Sequence, residues 1–471
     1  MTNQVNVRGL ALETLTEVDR GYGYASDIIR DTLRNYQYLD KKDRAFYTRL
    51  CQGTLEYRIR LDYMINQVSN TPMKKCKPYI RNLLRMSLYQ LLYMDRVSKQ
   101  AVCNEAVKLA KKKGFQNLSG FVNGVLRNLI RKKEQLIVPP ESDRIAYLSV
   151  MYSMPEHIVR WFLDWYPENL AETMFQRFLE KSPTCIRVNQ ERIGVDELRE
   201  MIEQAGIRTV PGLYCDNILR IDDYNYMNRV PGYKEGYFTV QDESSCLQGY
   251  LLPIMELRRI GSARAGEIRI LDLCASPGGK VMHAAERFSR ELEGDSLIIT
   301  ARDISEHKID RIRENLDRLG YEGIRTEIRD ALQFDPSMEH NQDLVIADLP
   351  CSGLGVMGRK KDIKYHIKPE QLWELEELQR GILRNAVRYL KRGGYLIYST
   401  CTLNPGENEK QVMWMRDELG MMTESIRQVL PEKLIKDLDG QPGTDLDQGY
   451  CTILPGLQDC DGFFMAKLRY Q

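Results

Sequence analysis

The sequence predicts a multidomain chain: an all-α bundle over residues 1–140, a linker and small α/β subdomain over 141–245, and a doubly wound α/β domain over 246–471. Three observations predict it. Residues 268–280 alternate and then run apolar as a buried strand does, break at Pro277-Gly278-Gly279, and pass into a helical pattern. Strand-like and helix-like segments alternate from there onward, which calls for a mostly parallel sheet with helices on both faces. The first 135 residues carry only helical periodicity and hold most of the excess positive charge.

A chain of 471 residues with 43% hydrophobic content accommodates roughly two to four ordinary domains. No apolar run approaches the ~20 residues of a membrane span, and the first eight residues carry no apolar signal segment, so a cytoplasmic protein without membrane association is expected. The eleven cysteines are scattered and form no C-x-x-C pair, which argues against a disulfide framework or a zinc site; no metal is expected. Net charge is +1 overall, yet residues 1–140 hold 25 Lys and Arg against 12 Asp and Glu. That asymmetry suggests a module that meets a polyanion, with a solvated basic surface as the plainer alternative.

Within the first segment, residues 79–93 follow Pro78 and place Ile80, Leu83, Leu84, Leu88, Leu91 and Leu92 at helical spacing, with Arg81 and Arg85 elsewhere on the helix. Residues 100–113 and 119–131 read as further helices, the first stopped by Gly114. Val138-Pro139-Pro140 marks the linker, and Trp161, Phe162 and Trp165 are packing anchors of a helical stretch over 141–180. The period then changes: 184–189 is a strand, 195–205 a helix, and 207–221 two short strands. Tyr224, Tyr226, Tyr233 and Tyr237 can stack on bases, though packing is the commoner use of such tyrosines. In the last domain, strands are expected at 268–273, 296–302, 324–328, 343–348 and 394–399, helices at 281–292, 306–319, 370–390 and 408–419, and a closing antiparallel strand at 462–468.

The turn after the first of these strands is where a doubly wound sheet binds a nucleotide-like ligand. A phosphate-binding P-loop would need Gly at 274 and Ser or Thr at 281, where the chain has Cys274 and Val281, and the dinucleotide fingerprint is also absent. What remains is the looser loop used for S-adenosylmethionine, here Cys274, Ala275, Ser276, Pro277, Gly278, Gly279 and Lys280. Asp303, Asp330 and Asp348 are expected at successive strand ends, for the ribose hydroxyls, the adenine side and the reacting methyl respectively; singly, each could be a turn or cap residue.

Two cysteines fall at strand-to-loop transitions, Cys351 in Asp348-Leu349-Pro350-Cys351-Ser352-Gly353 and Cys401 in Tyr398-Ser399-Thr400-Cys401-Thr402. A lone cysteine is usually a buried structural thiol. Two beside a methyl donor suit one difficult reaction. Carbon 5 of cytosine is too electron-poor to attack a sulfonium methyl until a thiolate adds to carbon 6. Lys280 favours a thiolate nearby, and Asp348 can hydrogen-bond the cytosine amino group or ring nitrogen.

Several stretches carry resemblances. Arg8-Gly9-Leu10-Ala11-Leu12, residues 83–92, Asn104-Glu105-Ala106-Val107 and residues 121–127 resemble the RNA-binding NusB domain in order and spacing. Residues 268–470 resemble the RNA 5-methylcytosine methyltransferases of the Nop2/Sun/RsmB class, through 272–280, 348–355, 398–402, 404–409 and 240–245. The resemblance implies a NusB-like bundle, a Rossmann-like methyltransferase domain, S-adenosylmethionine as cofactor, Cys401 as nucleophile and Cys351 as the residue assisting product release. DNA cytosine methylases attack from a Pro-Cys, which would point to Pro350-Cys351; Thr400-Cys401 favours RNA.

The whole chain thus resembles the RsmB/Sun family, which implies a monomer acting on small-subunit ribosomal RNA. A transfer-RNA methylase of the same chemistry and a non-catalytic RNA-binding or antitermination factor are the alternatives. The chain has Gly358-Arg359-Lys360-Lys361-Asp362-Ile363-Lys364 where the family often has Arg-Arg-His-Pro-Asp-Ile-Lys, in a loop expected to face RNA.

Overall fold

A computed structural model describes residues 5–262, 267–291 and 296–471, and its chain divides into two compact units. One comprises Met1–Leu179 together with Met357–His366; the other comprises Glu180–Val356 and Ile367–Gln471.

The first unit is helical. Its central helix, Pro78–Tyr93, begins at a proline whose missing N–H costs nothing there, and it buries Ile80, Leu83, Leu84 and Leu88. Around it pack Val7–Asp19, Lys41–Glu56, Arg58–Asn66, Lys99–Lys112 and Ser119–Lys132. Arg85 departs from the expected pattern, because it is buried. Asp62 takes its Nε and Nη2 at 2.7 and 2.6 Å, and Asp19 lies beside it. A buried guanidinium persists when its fork meets a carboxylate in this way.

Residues 357–366 belong to this unit and not to the sheet domain that surrounds them in sequence. The carboxylate of Asp362 accepts from Ala25 N at 2.7 Å, which caps helix Ala25–Asn35 where Tyr24 offers no side-chain cap. Lys361 pairs with Glu56, Tyr365 Oη donates to Leu55 O at 2.9 Å, and Lys364 Nζ donates to Glu56 O at 3.0 Å. Burial pulls the Lys364 amine down to about 7. Asp362 and Lys364 are therefore buried ties of the helical unit, whereas the sequence suggested an RNA-facing loop.

The second unit holds two sheets. The smaller is antiparallel, with β1 (Thr184–Val188), β2 (Arg208–Pro211), β3 (Ile218–Asp222) and β4 (Phe238–Val240) in the order β2-β3-β1-β4. Its core is Ile186, Val188, Leu219 and Phe238 against Leu198 and Ile202 of helix Val195–Gln204. Tyr224, Tyr233 and Tyr237 pack on this cluster.

The larger sheet follows: β5 (Glu267–Asp272), β6 (Ser296–Asp303), β7 (Arg325–Ile328), β8 (Gln342–Asp348), β9 (Leu390–Thr400), β10 (Met421–Thr423), β11 (Tyr450–Ile453) and β12 (Phe463–Tyr470). The order β9-β8-β5-β6-β7 is parallel, while β12 adds antiparallel to β9 and is flanked by β10 and β11. Side chains alternate between two cores. Ile270, Leu344, Ile346 and Ile397 face helices Gly279–Glu291 and Glu306–Leu319, while Leu271, Val345, Ala347 and Leu396 face helices Pro369–Tyr389 and Glu409–Leu419. Burial on both faces is why these strands read as near-continuous apolar runs. The fold is the expected mixed one, helical bundle first and doubly wound domain last. Position 292, at the end of one expected helix, lies outside the described residues.

The small sheet is joined to the large one through buried polar groups within this unit. Arg187 of β1 pairs with Glu286 of helix Gly279–Glu291, both about 1% exposed, and its Nε donates to Gln241 Oε1 at 2.8 Å. Arg220 similarly meets Glu243 at 2.8 Å and Asp459 at 2.6 Å.

Candidate active site

A cleft opens at the carboxyl end of β5. One wall is the turn that follows this strand: Cys274, Ala275, Ser276, Pro277, Gly279 and Lys280 line it, with Asp272 beneath. Gly278 sits in the same turn with φ of 102°, a left-handed backbone conformation in which any other residue is strained. The turn is held from β6, since Ala275 N donates to Arg302 O at 2.9 Å and Ser276 N to Asp303 Oδ2 at 3.0 Å. The opposite wall is Val240, Gln241, Asp242 and Ser245, which follow the small sheet. Gln241 reaches the cleft while held by the buried Arg187, so the Arg187–Glu286 pair supports this wall.

Asp272 is fully buried, and burial together with nearby Asp348 pushes its carboxyl up to about 8. Its Oδ1 accepts from Cys274 N at 3.3 Å, but its Oδ2 has no hydrogen-bond partner among the described residues. An orphaned carboxylate oxygen in an acidic cleft suits a ligand that brings positive charge. The Cys274 thiol is likewise pushed up by burial and by Asp272.

Asp303 lies behind the turn. Its oxygens hold Ser276 N at 3.0 Å, Ile304 N at 2.8 Å and Lys308 Nζ at 2.9 Å. Asp330 sits two residues past the end of β7, where its Oδ1 accepts from Leu332 N at 3.0 Å; neither Asp303 nor Asp330 lines the cleft. Asp348 ends β8 and does line it. Lys280 Nζ approaches its Oδ2 at 2.6 Å and Ser399 Oγ donates to its Oδ1 at 2.8 Å.

β8 and β9 are parallel neighbours with Asp348 opposite Ser399, so the loops after both strands start side by side. Cys351 Sγ and Cys401 Sγ lie 3.3 Å apart. The hydrogen bond between them, with burial, pushes the Cys351 thiol well up. Gly355 N donates to Cys401 O at 3.0 Å, and a Cβ at position 355 would come 2.3 Å from Gly462 O, so only glycine permits that approach. Lys280 thus pairs with Asp348 and Cys351 with Cys401; the first two line the cleft, and the two thiols sit just beyond it in the loops that follow β8 and β9.

Three features escaped the sequence reading. Asp272 closes β5 ahead of the turn, and a single acidic residue at a strand end carries no signal of its own. Gln379 is buried in the middle of helix Pro369–Tyr389 and donates to Pro350 O at 2.9 Å. Glu407 is buried and accepts from Ser352 N at 2.9 Å. A polar residue in an apolar helix stripe is the one signal that could have found Gln379. Among the described residues, no cluster of three or more His, Cys, Asp or Glu is arranged to hold a metal ion, and no helix is long and apolar enough to cross a membrane.

Comparison with known proteins gives consistent matches along the chain. Residues 262–469 match the family described as 16S rRNA methyltransferase RsmB/F, residues 5–131 the NusB family, and residues 154–227 an RsmF/B-like ferredoxin-like domain. The "Probable ribosomal RNA small subunit methyltransferase B" of Bacillus subtilis (strain 168) is 32% identical over 99% of both chains. The "Ribosomal RNA small subunit methyltransferase B" of Klebsiella pneumoniae (strain 342) is 30% identical over 99% of both. Among solved structures, PH0851 superposes with a TM-score of 0.77 at 20% identity over 99% of both chains. NSun6 from Pyrococcus horikoshii, solved with SFG, gives 0.56 at 20% identity over 68% of this chain and 99% of its own.

Proposed function

The chain belongs to the 16S rRNA methyltransferase RsmB/F family, and from that membership we propose that it acts as a monomer to methylate carbon 5 of a cytosine in small-subunit ribosomal RNA, with S-adenosylmethionine as methyl donor. The observation that carries this reading is the pair of thiols 3.3 Å apart, at the strand ends that also present Asp348 and Lys280. The cleft fits the donor, which carries an ammonium and a sulfonium, because among the described residues the orphaned acceptor lining it is Asp272 Oδ2, and a bound cation would draw off the proton that burial keeps on that carboxyl. Asp272 and residues 274–280 would hold it, while Asp303 and Asp330, outside the cleft lining, are assigned to the ribose and adenine ends of a ligand that extends past it. When bound, it supplies an electrophilic methyl group.

Cys401 is assigned the attack. Cys401 gives up its thiol proton to water and its sulfur bonds to carbon 6 of the cytosine, while the carbon 5–carbon 6 π pair moves onto carbon 5 and the conjugated ring, which leaves carbon 5 nucleophilic. Asp348, fixed by Lys280 and Ser399, orients the base through its amino group or ring nitrogen. After methyl transfer the carbon 5 proton is lost to water. The double bond re-forms as the carbon 6–sulfur bond breaks, and its electron pair returns to Cys401. Cys351 donates its S–H proton to the departing sulfur and so assists release, and the Cys351 sulfur then regains a proton from water. The target base must leave its stack to reach these sulfurs, and the basic helical unit supplies phosphate contacts with salt-sensitive affinity.

The test is methyl incorporation into protein-free 16S RNA by wild type and Cys401→Ala, followed by mapping of the modified base. The reading expects 5-methylcytosine from wild type and background from the variant. Methyl transfer by Cys401→Ala, a product other than 5-methylcytosine, or transfer confined to transfer RNA would overturn it.

A further inference from the structure

The loops bearing the two thiols share one buried carboxylate that the reaction scheme leaves unused. Glu407 is fully buried and receives only neutral donors: Ser352 N and Gln379 Nε2 at 2.9 Å each on one oxygen, Ser352 Oγ at 2.5 Å and Asn404 Nδ2 at 3.1 Å on the other. Ser352 follows Cys351, and its hydroxyl also meets Thr402 Oγ1, next to Cys401, at 2.6 Å. Gln379 Nε2 reaches Pro350 O, on the other side of Cys351, at 2.9 Å. Cys351 is therefore gripped from both neighbours, and one hydroxyl links its loop to that of Cys401. Tyr398 Oη donates to the Glu407 carbonyl, which fixes the carboxylate's own backbone.

A structural role alone would not call for a charge here. Burial pushes the Glu407 carboxyl upward, so a charge at this position is costly, and the four donors on its oxygens oppose that shift. An amide in its place would set an N–H donor either against both Ser352 N and Gln379 Nε2 or against Asn404 Nδ2, so at least one hydrogen bond would become a repulsion.

We propose that Glu407 is a positioning residue that sets the separation of the Cys351 and Cys401 sulfurs through Ser352 and Gln379, and so governs release of the methylated RNA. The inference rests on the assignment of Cys401 as nucleophile and Cys351 as the release residue. A misplacement of about 1 Å at a reacting group costs on the order of 10²-fold in rate. Loss of the grip on Cys351 should slow elimination more than attack, because the residues flanking Cys351 bond to Glu407 or share its donor directly, whereas Cys401 is reached a step further on, through Ser352 Oγ and Asn404 to Thr402.

The experiment compares wild type, Glu407→Gln, Ser352→Ala, Cys351→Ala and Glu407→Gln/Cys401→Ala on 16S RNA with a labelled methyl donor. Steady-state constants and denaturant-resistant, methyl-labelled protein–RNA adduct are both measured. For Glu407→Gln, kcat should fall about 10²-fold with KM within about twofold, and adduct should accumulate several-fold above wild type. The adduct should vanish in the double variant, and Ser352→Ala should show a milder form of the same split. A fall in kcat without adduct, while Cys351→Ala does accumulate it, would leave the thiol assignment standing and overturn the positioning role. No adduct with Cys351→Ala would end the thiol assignment and this inference with it. If Glu407→Gln fails to fold, Ser352→Ala decides by the same two readouts.

Discussion

Lys280 Nζ lies 2.6 Å from one oxygen of Asp348 while Ser399 Oγ holds the other at 2.8 Å, so this half-buried carboxylate is fixed from both sides. Lys280 lies in the first turn of the helix that follows the cleft's turn and Asp348 ends β8, so the pair ties that turn to the neighbouring strand. Lys280→Met and Asp348→Asn should each lower kcat/KM about 10²-fold. The double variant should cost little more than the worse single one, because the pair acts as a unit. Additive losses in steady-state kinetics would separate their roles.

The thiols should divide one catalytic cycle between them. Cys401→Ala should reduce methyl transfer to background. Cys351→Ala should still methylate close to one RNA per enzyme and then stall, with the RNA bound covalently. A labelled burst of near-unit stoichiometry without turnover is the expected signature. Sustained multiple turnover by Cys351→Ala would show that release does not depend on it.

Asp272 makes stability fall as pH rises. Its carboxyl sits near 8 in the fold against an ordinary 3.8. Between those values the folded chain holds a proton that the unfolded chain has released, so the Asp272 contribution to stability is fully present below about pH 4 and is lost as pH rises through 8. Asp272→Asn should abolish this slope and melt higher than wild type above pH 8, with the advantage gone near pH 4. At roughly 2–4 °C per kcal/mol the gain should be several degrees. Thermal melts across pH measure it, and the same variant should bind S-adenosylmethionine more weakly.

Asp362 caps helix Ala25–Asn35 from more than three hundred residues away in sequence, at 2.7 Å from Ala25 N. Asp362→Ala should destabilise the helical unit by about 1–2 kcal/mol, the usual cost of a lost cap. Asp362→Asn should recover most of it. Hydrogen exchange should quicken in residues 25–35 and 357–366 together in the alanine variant; faster exchange in only one of them would deny the tie.

Much of the large sheet was legible because its strands are covered on both faces. Residues 268–273, 343–348 and 394–399 lie within a residue of β5, β8 and the end of β9, and their apolar runs have no competing reading. The contact between Cys351 and Cys401 followed from parallel neighbours of equal register. What stayed hidden depends on partners distant in the chain. Arg85 looks like a surface charge until Asp62 and Asp19 are brought to it. Glu407 and Gln379 look like ordinary polar residues until Ser352 and Pro350 meet them. Residues 357–366 look like a basic substrate loop because sequence shows lysines and not the carbonyls that receive them. The three-residue β10, β4 and the helix Ile254–Ser262 carry too little periodicity to declare themselves.

The excursion of residues 357–366 also bears on how this protein can be dissected. A catalytic fragment begun after Leu179 would keep those ten residues but discard everything they pack on, including Glu56, Leu55 and Ala25. Buried groups such as Asp362 and Lys364 would then be stranded in water on a segment that starts six residues after Cys351. Domain swapping or truncation at the apparent linker thus severs a chain that crosses the boundary more than once, and chimeras are better cut so that this insertion travels with its helical host.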